Sequence, residues 1–150
     1  MEYKFATIED IELLTKTRVE VLRAANKLER DTDMSEVERQ SRLYYKTALK
    51  DGSHTAILVM DGDEFVGAGG VSYFQVMPTY HNPSGQKAYI MNMYTSPEYR
   101  RKGVAYKTLQ LLVEDAKKKG IAQISLEATE MGRPLYEKFG FKQMNSEMEL

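Results

Sequence analysis

Tyr99-Arg100-Arg101-Lys102-Gly103-Val104-Ala105 places three cations and a glycine where a strand hands over to a helix. That junction constrains both the fold and its chemistry. Ala88 to Thr95 reads as a strand stopped by Ser96-Pro97, and Ala105, Leu109, Leu112 and Ala116 then recur at helical spacing. A helix therefore starts near Gly103, and its first turn carries unpaired amide N–H groups with roughly half a unit of positive charge. Gly103 lets a ligand come close to the backbone, and the cations ahead of it add charge. A pyrophosphate cradle is built this way, although a solvated basic turn has the same composition. A P-loop is excluded because no Gly-Lys-Ser/Thr follows. A dinucleotide fingerprint is unsupported because the glycine spacing differs and no further βαβ unit follows.

Any such site has to rest on local charge. The chain of 150 residues has 21 basic and 22 acidic side chains, so no global field favours nucleic acid or a membrane surface. The length suits one domain, 1–150, with one sizeable core. Without cysteine there is no disulfide, no thiolate metal site and no acyl-cysteine intermediate. Neither a signal-peptide core nor a membrane-length apolar run is present, which makes the cytoplasm the expected address.

The remaining elements follow from periodicity and punctuation. Lys4 to Ala6 is a short strand, and Thr7 caps a first helix whose inner face is Ile11, Leu14, Arg18, Val21 and Leu22, fading near Asn26. Ser35-Glu36-Val37-Glu38 matches a capping box and opens a second helix that Asp51-Gly52 stops. Thr55 to Met60 and Glu64 to Val76 form a hairpin across Asp61-Gly62-Asp63, with Gly67, Gly69 and Gly70 marking a bulge or close packing. A loop from Met77 to Lys87 precedes the strand to Thr95. A helix from Val104 to Lys119, a strand from Ile121 to Ala128, a short helix at Pro134 to Phe139 and a last strand from Phe141 towards Leu150 complete the order βααβββαβαβ.

Arg100-x-x-Gly103-x-Ala105 resembles the Arg/Gln-x-x-Gly-x-Gly/Ala acetyl-CoA signature of the GNAT superfamily of N-acetyltransferases. Leu135-Tyr136-Glu137-Lys138-Phe139-Gly140-Phe141 resembles that superfamily's second hallmark, at the expected distance. The resemblance is sharpest from Tyr89 to Phe141. It implies an α/β (α+β) fold: a mixed, mostly antiparallel sheet flanked by helices, with a V-shaped opening between the fourth and fifth strands. It further implies acetyl transfer from acetyl-CoA to a primary amine by direct attack in a ternary complex, with no acyl-enzyme and no metal. The acceptor expected is a small molecule such as a polyamine, amino acid or amino sugar. A protein amino group, or an acyl-CoA sensor without turnover, are the alternatives, and homodimers are common among such domains.

The same resemblance assigns roles. The pantetheine arm would pair with the backbone of Met93, Tyr94 and Thr95, and an amide at Met93 or Tyr94 would meet the developing oxyanion. The amides of Arg101, Lys102, Gly103, Val104 and Ala105 would hold the pyrophosphate, helped by the charges of Arg100 and Lys102. Tyr136, a phenol of pKa about 10, would protonate the leaving thiolate as general acid. Thr129 and Gly132 stand where the family usually has Asn and Ala; the Thr129 hydroxyl can still reach the pantetheine amide. The lysine-acetylating branch has a glutamate where this chain has Tyr89, so the base is expected among Glu127 acting through water, the Tyr94 hydroxyl and His81. Substrate choice is expected from the first two helices and the Met77 to Lys87 loop. Three carboxylates in Glu29 to Asp33 could attract a cationic amine, and Asn92, Tyr44, Tyr45, Phe74 and Tyr80 could line the cleft.

Overall fold

The computed structural model covers residues 1–150. Five strands stand side by side in sequence order: β1 (Glu2–Phe5), β2 (His54–Asp61), β3 (Glu64–Gln75), β4 (Gln86–Thr95) and β5 (Gln123–Leu126). The first four pair antiparallel, and β5 joins β4 in parallel. A parallel neighbour requires a crossover, which α3 (Val104–Lys118) provides. The link from β1 to β2 holds α1 (Ile11–Ala25) and α2 (Ser35–Asp51), and the short α4 (Arg133–Phe139) follows β5. The expected mixed sheet with flanking helices is therefore present.

The period-two alternation of β2 divides the interior between the two faces of the sheet. Ile57 and Val59 join Val71, Ala88 and Ile90 under Leu109, Leu112 and Ala116 of α3. Ala56 and Leu58 point the other way, to Leu14 of α1 and Tyr45 of α2. A polar clamp holds α3 in place. Asp115 accepts hydrogen bonds from Tyr73 Oη at 2.5 Å and Thr55 Oγ1 at 2.7 Å, and it keeps the Tyr73 phenol protonated well above its ordinary range, burial adding first to that shift.

Several expectations need correction. Thr7 does cap a helical start with Asp10 in a capping box, but that start is a 3₁₀ turn, Ile8–Asp10, ahead of α1. No capping box opens α2: Ser35 is its first residue, and Asp33 Oδ1 accepts from the Ser35 amide at 2.9 Å instead. β5 is four residues long rather than Ile121 to Ala128, and no strand forms after Phe141. Met144, Met148 and Leu150 are exposed and cover no apolar face, so no burial holds that segment against the sheet. The β2–β3 turn is the two-residue Gly62-Asp63 link, with Gly62 at φ +62°.

The glycines of β3 serve close packing. A Cβ at Gly69 would lie 2.6 Å from the Thr108 methyl of α3, and one at Gly67 would lie 2.7 Å from the Tyr94 carbonyl oxygen. Backbone cannot move aside as a flexible side chain can. Gly67→Ala is therefore expected to cost about 1–3 kcal/mol, read as a lower urea midpoint with an unchanged m-value.

Candidate active site

β5 pairs with β4 only from Lys87↔Gln123 to Ile90↔Leu126, so Met91 to Thr95 have no partner on that side and the sheet opens. On the other side of β4 the register with β3 slips. Gly70 pairs with Met91 and Ala68 with Tyr94, leaving Asn92 and Met93 opposite Gly69 alone. This is a β-bulge, with Asn92 at φ +59°, a conformation that asparagine tolerates better than most residues. The extra residue shifts the alternation. Ala88 and Ile90 face α3, and so does Met93, whose sulfur would lie 2.9 Å from a Cβ at Gly69. Tyr94 faces the α1–α2 side and stacks on Phe65 at 5.9 Å. Arg18 of α1 donates from Nη1 to Asn92 Oδ1 at 2.9 Å and so ties the bulge to the helix. Sequence reasoning missed the bulge; its signal was an asparagine amid Ile90, Met91, Met93 and Tyr94.

Beyond the open end of β4, the chain turns through Pro97–Tyr99, anchored by Tyr99 Oη to Asp61 at 2.8 Å. Arg101 at φ +62° and Gly103 at φ +84° then alternate with ordinary backbone ahead of Val104, the first residue of α3. None of the amides from Arg101 to Tyr106 donates to a protein acceptor. Successive free amides in such a turn form an anion-binding concavity, which the start of a 15-residue helix reinforces. The Arg100 side chain folds back, Nε donating to the Thr95 carbonyl at 3.3 Å, so it braces the end of β4. Thr95 Oγ1 is buried without a hydrogen-bond partner at that same end. Free amides ahead of α3 and an orphaned hydroxyl at the end of β4 fit the phosphate and amide groups of a CoA-type molecule.

Tyr136 of α4 is buried at 8% exposure, its ring edge-on to Phe141, and its hydroxyl makes no hydrogen bond. Burial raises its pKa, so the phenol is protonated at neutral pH. Gly132 explains the fit of this ring: a Cβ there would lie 2.9 Å from Tyr136 Cε2. Thr129 accepts from the Gly132 amide at 3.1 Å, which uses one lone pair and leaves the hydroxyl proton available. Burial also raises the Tyr94 phenol, with Glu20 adding to the shift and Arg100 opposing it. Glu127 is exposed just past β5, near enough to Tyr89 to raise that phenol after burial. His81 is exposed on its loop against Tyr80, away from the cavity.

A cavity of about 300 Å³ lies on the α1–α2 side of the sheet, beside the bulge. Tyr44, Tyr45 and Asn92 line it as expected, whereas Phe74, Tyr80 and the 77–85 loop do not. Arg18, His54 and Ser72 also line it, and sequence reasoning did not place them there. Their signals were an arginine within the apolar stripe of α1 and a histidine heading an apolar strand. Tyr44 Oη, His54 Nδ1 and Ser72 Oγ form a triangle with sides of 2.8, 3.0 and 3.2 Å. The Glu29 to Asp33 connector serves structure: its carbonyls at Glu29 and Thr32 accept from Arg23, and Asp33 holds the start of α2.

The description "Acetyltransferase (GNAT) family" matches residues 20–141. A crystal structure of a predicted acetyltransferase with acetyl-CoA, from Clostridium acetobutylicum, superposes with TM-score 0.89 and 31% identity, over 99% of this chain and 94% of that one. A GCN5-related N-acetyltransferase from Ralstonia eutropha JMP134 superposes with TM-score 0.83 and 26% identity, over 99% and 96%. An uncharacterized N-acetyltransferase, YsnE, of Bacillus subtilis (strain 168) is 38% identical over 87 residues. That match covers 55% of this chain and 52% of the relative, so the chain spans about half the length of the curated relative it matches.

Burial, then the nearby Arg18, lowers the His54 pKa to about 4, so the imidazole is neutral in the folded protein. An unfolded histidine takes up a proton near pH 6.5, and the folded one resists until about pH 4. The stability contributed is therefore present above about pH 6.5 and lost as pH falls towards 4, by about 3 kcal/mol. Urea unfolding at pH 4.5 and 7 should show a steeper acid loss for the natural protein than for His54→Gln.

Proposed function

Because this chain belongs to the acetyltransferase (GNAT) family, we propose that it transfers the acetyl group of acetyl-CoA to the primary amine of a small molecule by direct attack while both are bound. The observation that carries this reading is the continuity of the run of free amides from Arg101 to Tyr106 with the gap between β4 and β5. Acetyl-CoA supplies an acyl carbon open to attack and a thiolate leaving group. The chain's own residues bind, orient and move protons. The amides of Arg101, Lys102, Gly103, Val104 and Ala105 receive the pyrophosphate, and the exposed Lys102 adds charge. Arg100 contributes by keeping the end of β4 in place.

Backbone groups of Met93, Tyr94 and Thr95 face the gap as an unpaired strand edge, which a pantetheine chain can extend. The bulge aims one amide, at Met93 or Tyr94, at the carbonyl oxygen whose charge grows during attack. Thr129 offers its hydroxyl proton to a pantetheine carbonyl. Tyr136 holds a proton at Oη for the departing sulfur, and its raised pKa keeps that proton in place beforehand. The proton lost by the amine passes through water to Glu127; the Tyr94 hydroxyl, kept protonated by burial, can only relay it, giving its own proton to water as it accepts one. A cavity of about 300 Å³ suits a small acceptor better than a protein chain. A charged thioester of this size does not cross a bilayer unaided, so this reading places the activity in the cytoplasm.

Thiol release from acetyl-CoA across polyamines, amino acids, aminoglycosides and lysine peptides tests the reading. Turnover on a small amine supports it, and thermal stabilisation by acetyl-CoA with no turnover indicates a sensor. Tyr136→Phe should lower kcat by about 100- to 10,000-fold while leaving acetyl-CoA affinity and thermal stability unchanged, since the hydroxyl bonds to nothing in the protein. An undiminished kcat would remove Tyr136 from the mechanism.

A further inference from the structure

The cavity beside the β4 bulge contains one ionised side chain, and its sign is positive. Arg18 sits in the stripe of α1 that also holds the buried Leu14 and Val21, so its guanidinium is carried inward and half-buried. It forms no ion pair with any carboxylate, and its one hydrogen bond, Nη1 to Asn92 Oδ1, is to a neutral amide. A partly buried cation without a counter-charge is costly, and an incoming anion would relieve that cost. The surroundings are neutral groups able to hydrogen-bond: Tyr44, His54 and Ser72 in their triangle, and Tyr45, whose phenol burial keeps protonated. No Asp or Glu lines this space, which leaves nothing there to hold the second ammonium of a polyamine.

We propose that this cavity is the acceptor site, and that it selects an amine bearing a carboxylate, in the manner of an amino acid, with Arg18 as the carboxylate anchor. The proposal rests on the acetyl-transfer reading above. Asn92 links the two parts of the site. Its side chain reaches Arg18 at the cavity wall, and the next residue, Met93, belongs to the open edge of β4. An acceptor held by its carboxylate at Arg18 can therefore point its amine towards the gap between β4 and β5. A single guanidinium with one nitrogen already engaged suits a carboxylate better than a phosphate dianion, which draws several cations or a run of amides.

The test compares free amino acids, including β-alanine, with their amides and their decarboxylated amines as acceptors, and adds phosphoethanolamine to separate phosphate from carboxylate. The natural protein should favour the acids over the matched amides by at least tenfold in kcat/KM. Arg18→Met should erase that preference through a rise in KM for the acids of about 10- to 100-fold, and Arg18→Lys should restore part of it. If Arg18 only braces the bulge, all acceptors lose rate equally, and the proposal fails. Equal use of acids and amides, or a preference for phosphoethanolamine, also overturns it. Calorimetric binding of the same acids and amides to CoA-saturated protein judges the proposal independently of turnover. Selective binding of acids without transfer would uphold the cavity's chemistry and reject the enzymatic reading, whereas binding without selection would reject the carboxylate anchor.

Discussion

The parallel ladder between β4 and β5 is four residues long, and the arrangement of the site depends on where it stops. A parallel pair gains little from each added residue, so ending it after Ile90 and Leu126 forgoes a modest number of hydrogen bonds. What replaces them is an opening near one edge of the sheet, between its last two strands, bordered by β4, whose other edge pairs with β3. β4 is held to β3 by its antiparallel register, to its own exit turn by the Arg100 bond to the Thr95 carbonyl and to α1 by the Arg18 bond to Asn92. The opening is thus rigid on one side, as pre-organised donors require.

The bulge within that strand gives each face its own part. Without the extra residue, Asn92 and Tyr94 would share the face of Ala88 and Ile90, and the polar amide would enter the α3 core. With it, Met93 fills that core and Asn92 meets Arg18 on the opposite side. Gly69 makes this tolerable, because Met93, Thr108 and Leu112 all crowd the space its side chain would occupy. Glycine in β3 and asparagine in β4 are two halves of one local solution.

Much of this was legible in the sequence because it rests on local chemistry. The turn from Tyr99 to Ala105, the hairpin expected across Asp61-Gly62-Asp63 (a two-residue link in the structure) and the helix through Leu109 and Ala116 follow from spacing and punctuation. The residues lining the cavity were harder to find, because proximity across the sheet leaves no local trace. His54 and Ser72 approach through the register of β2 with β3, and Arg18 is 74 positions away from Asn92. A capping box at Ser35 matched by type, yet the Asp33 carboxylate reaches the Ser35 amide first. No strand forms after Phe141, where Met144, Met148 and Leu150 stay exposed and bury nothing against the sheet.

Charge is distributed on a correspondingly local scale. With 21 basic and 22 acidic side chains, the molecule as a whole exerts almost no field on an approaching anion. Two places in the site offer positive charge, the free amides ahead of α3 and the lone guanidinium beside the bulge. Carboxylates are kept away from the second place: Glu29 and Asp33 belong to the α1–α2 connector, and Glu12 is engaged by Arg42 on the surface. A cavity walled by hydroxyls, an amide and a neutral imidazole contributes little charge of its own. Arg18 is the one ionised side chain lining that space, so the stripe of α1 that carries it supplies the charge any ligand entering there would meet.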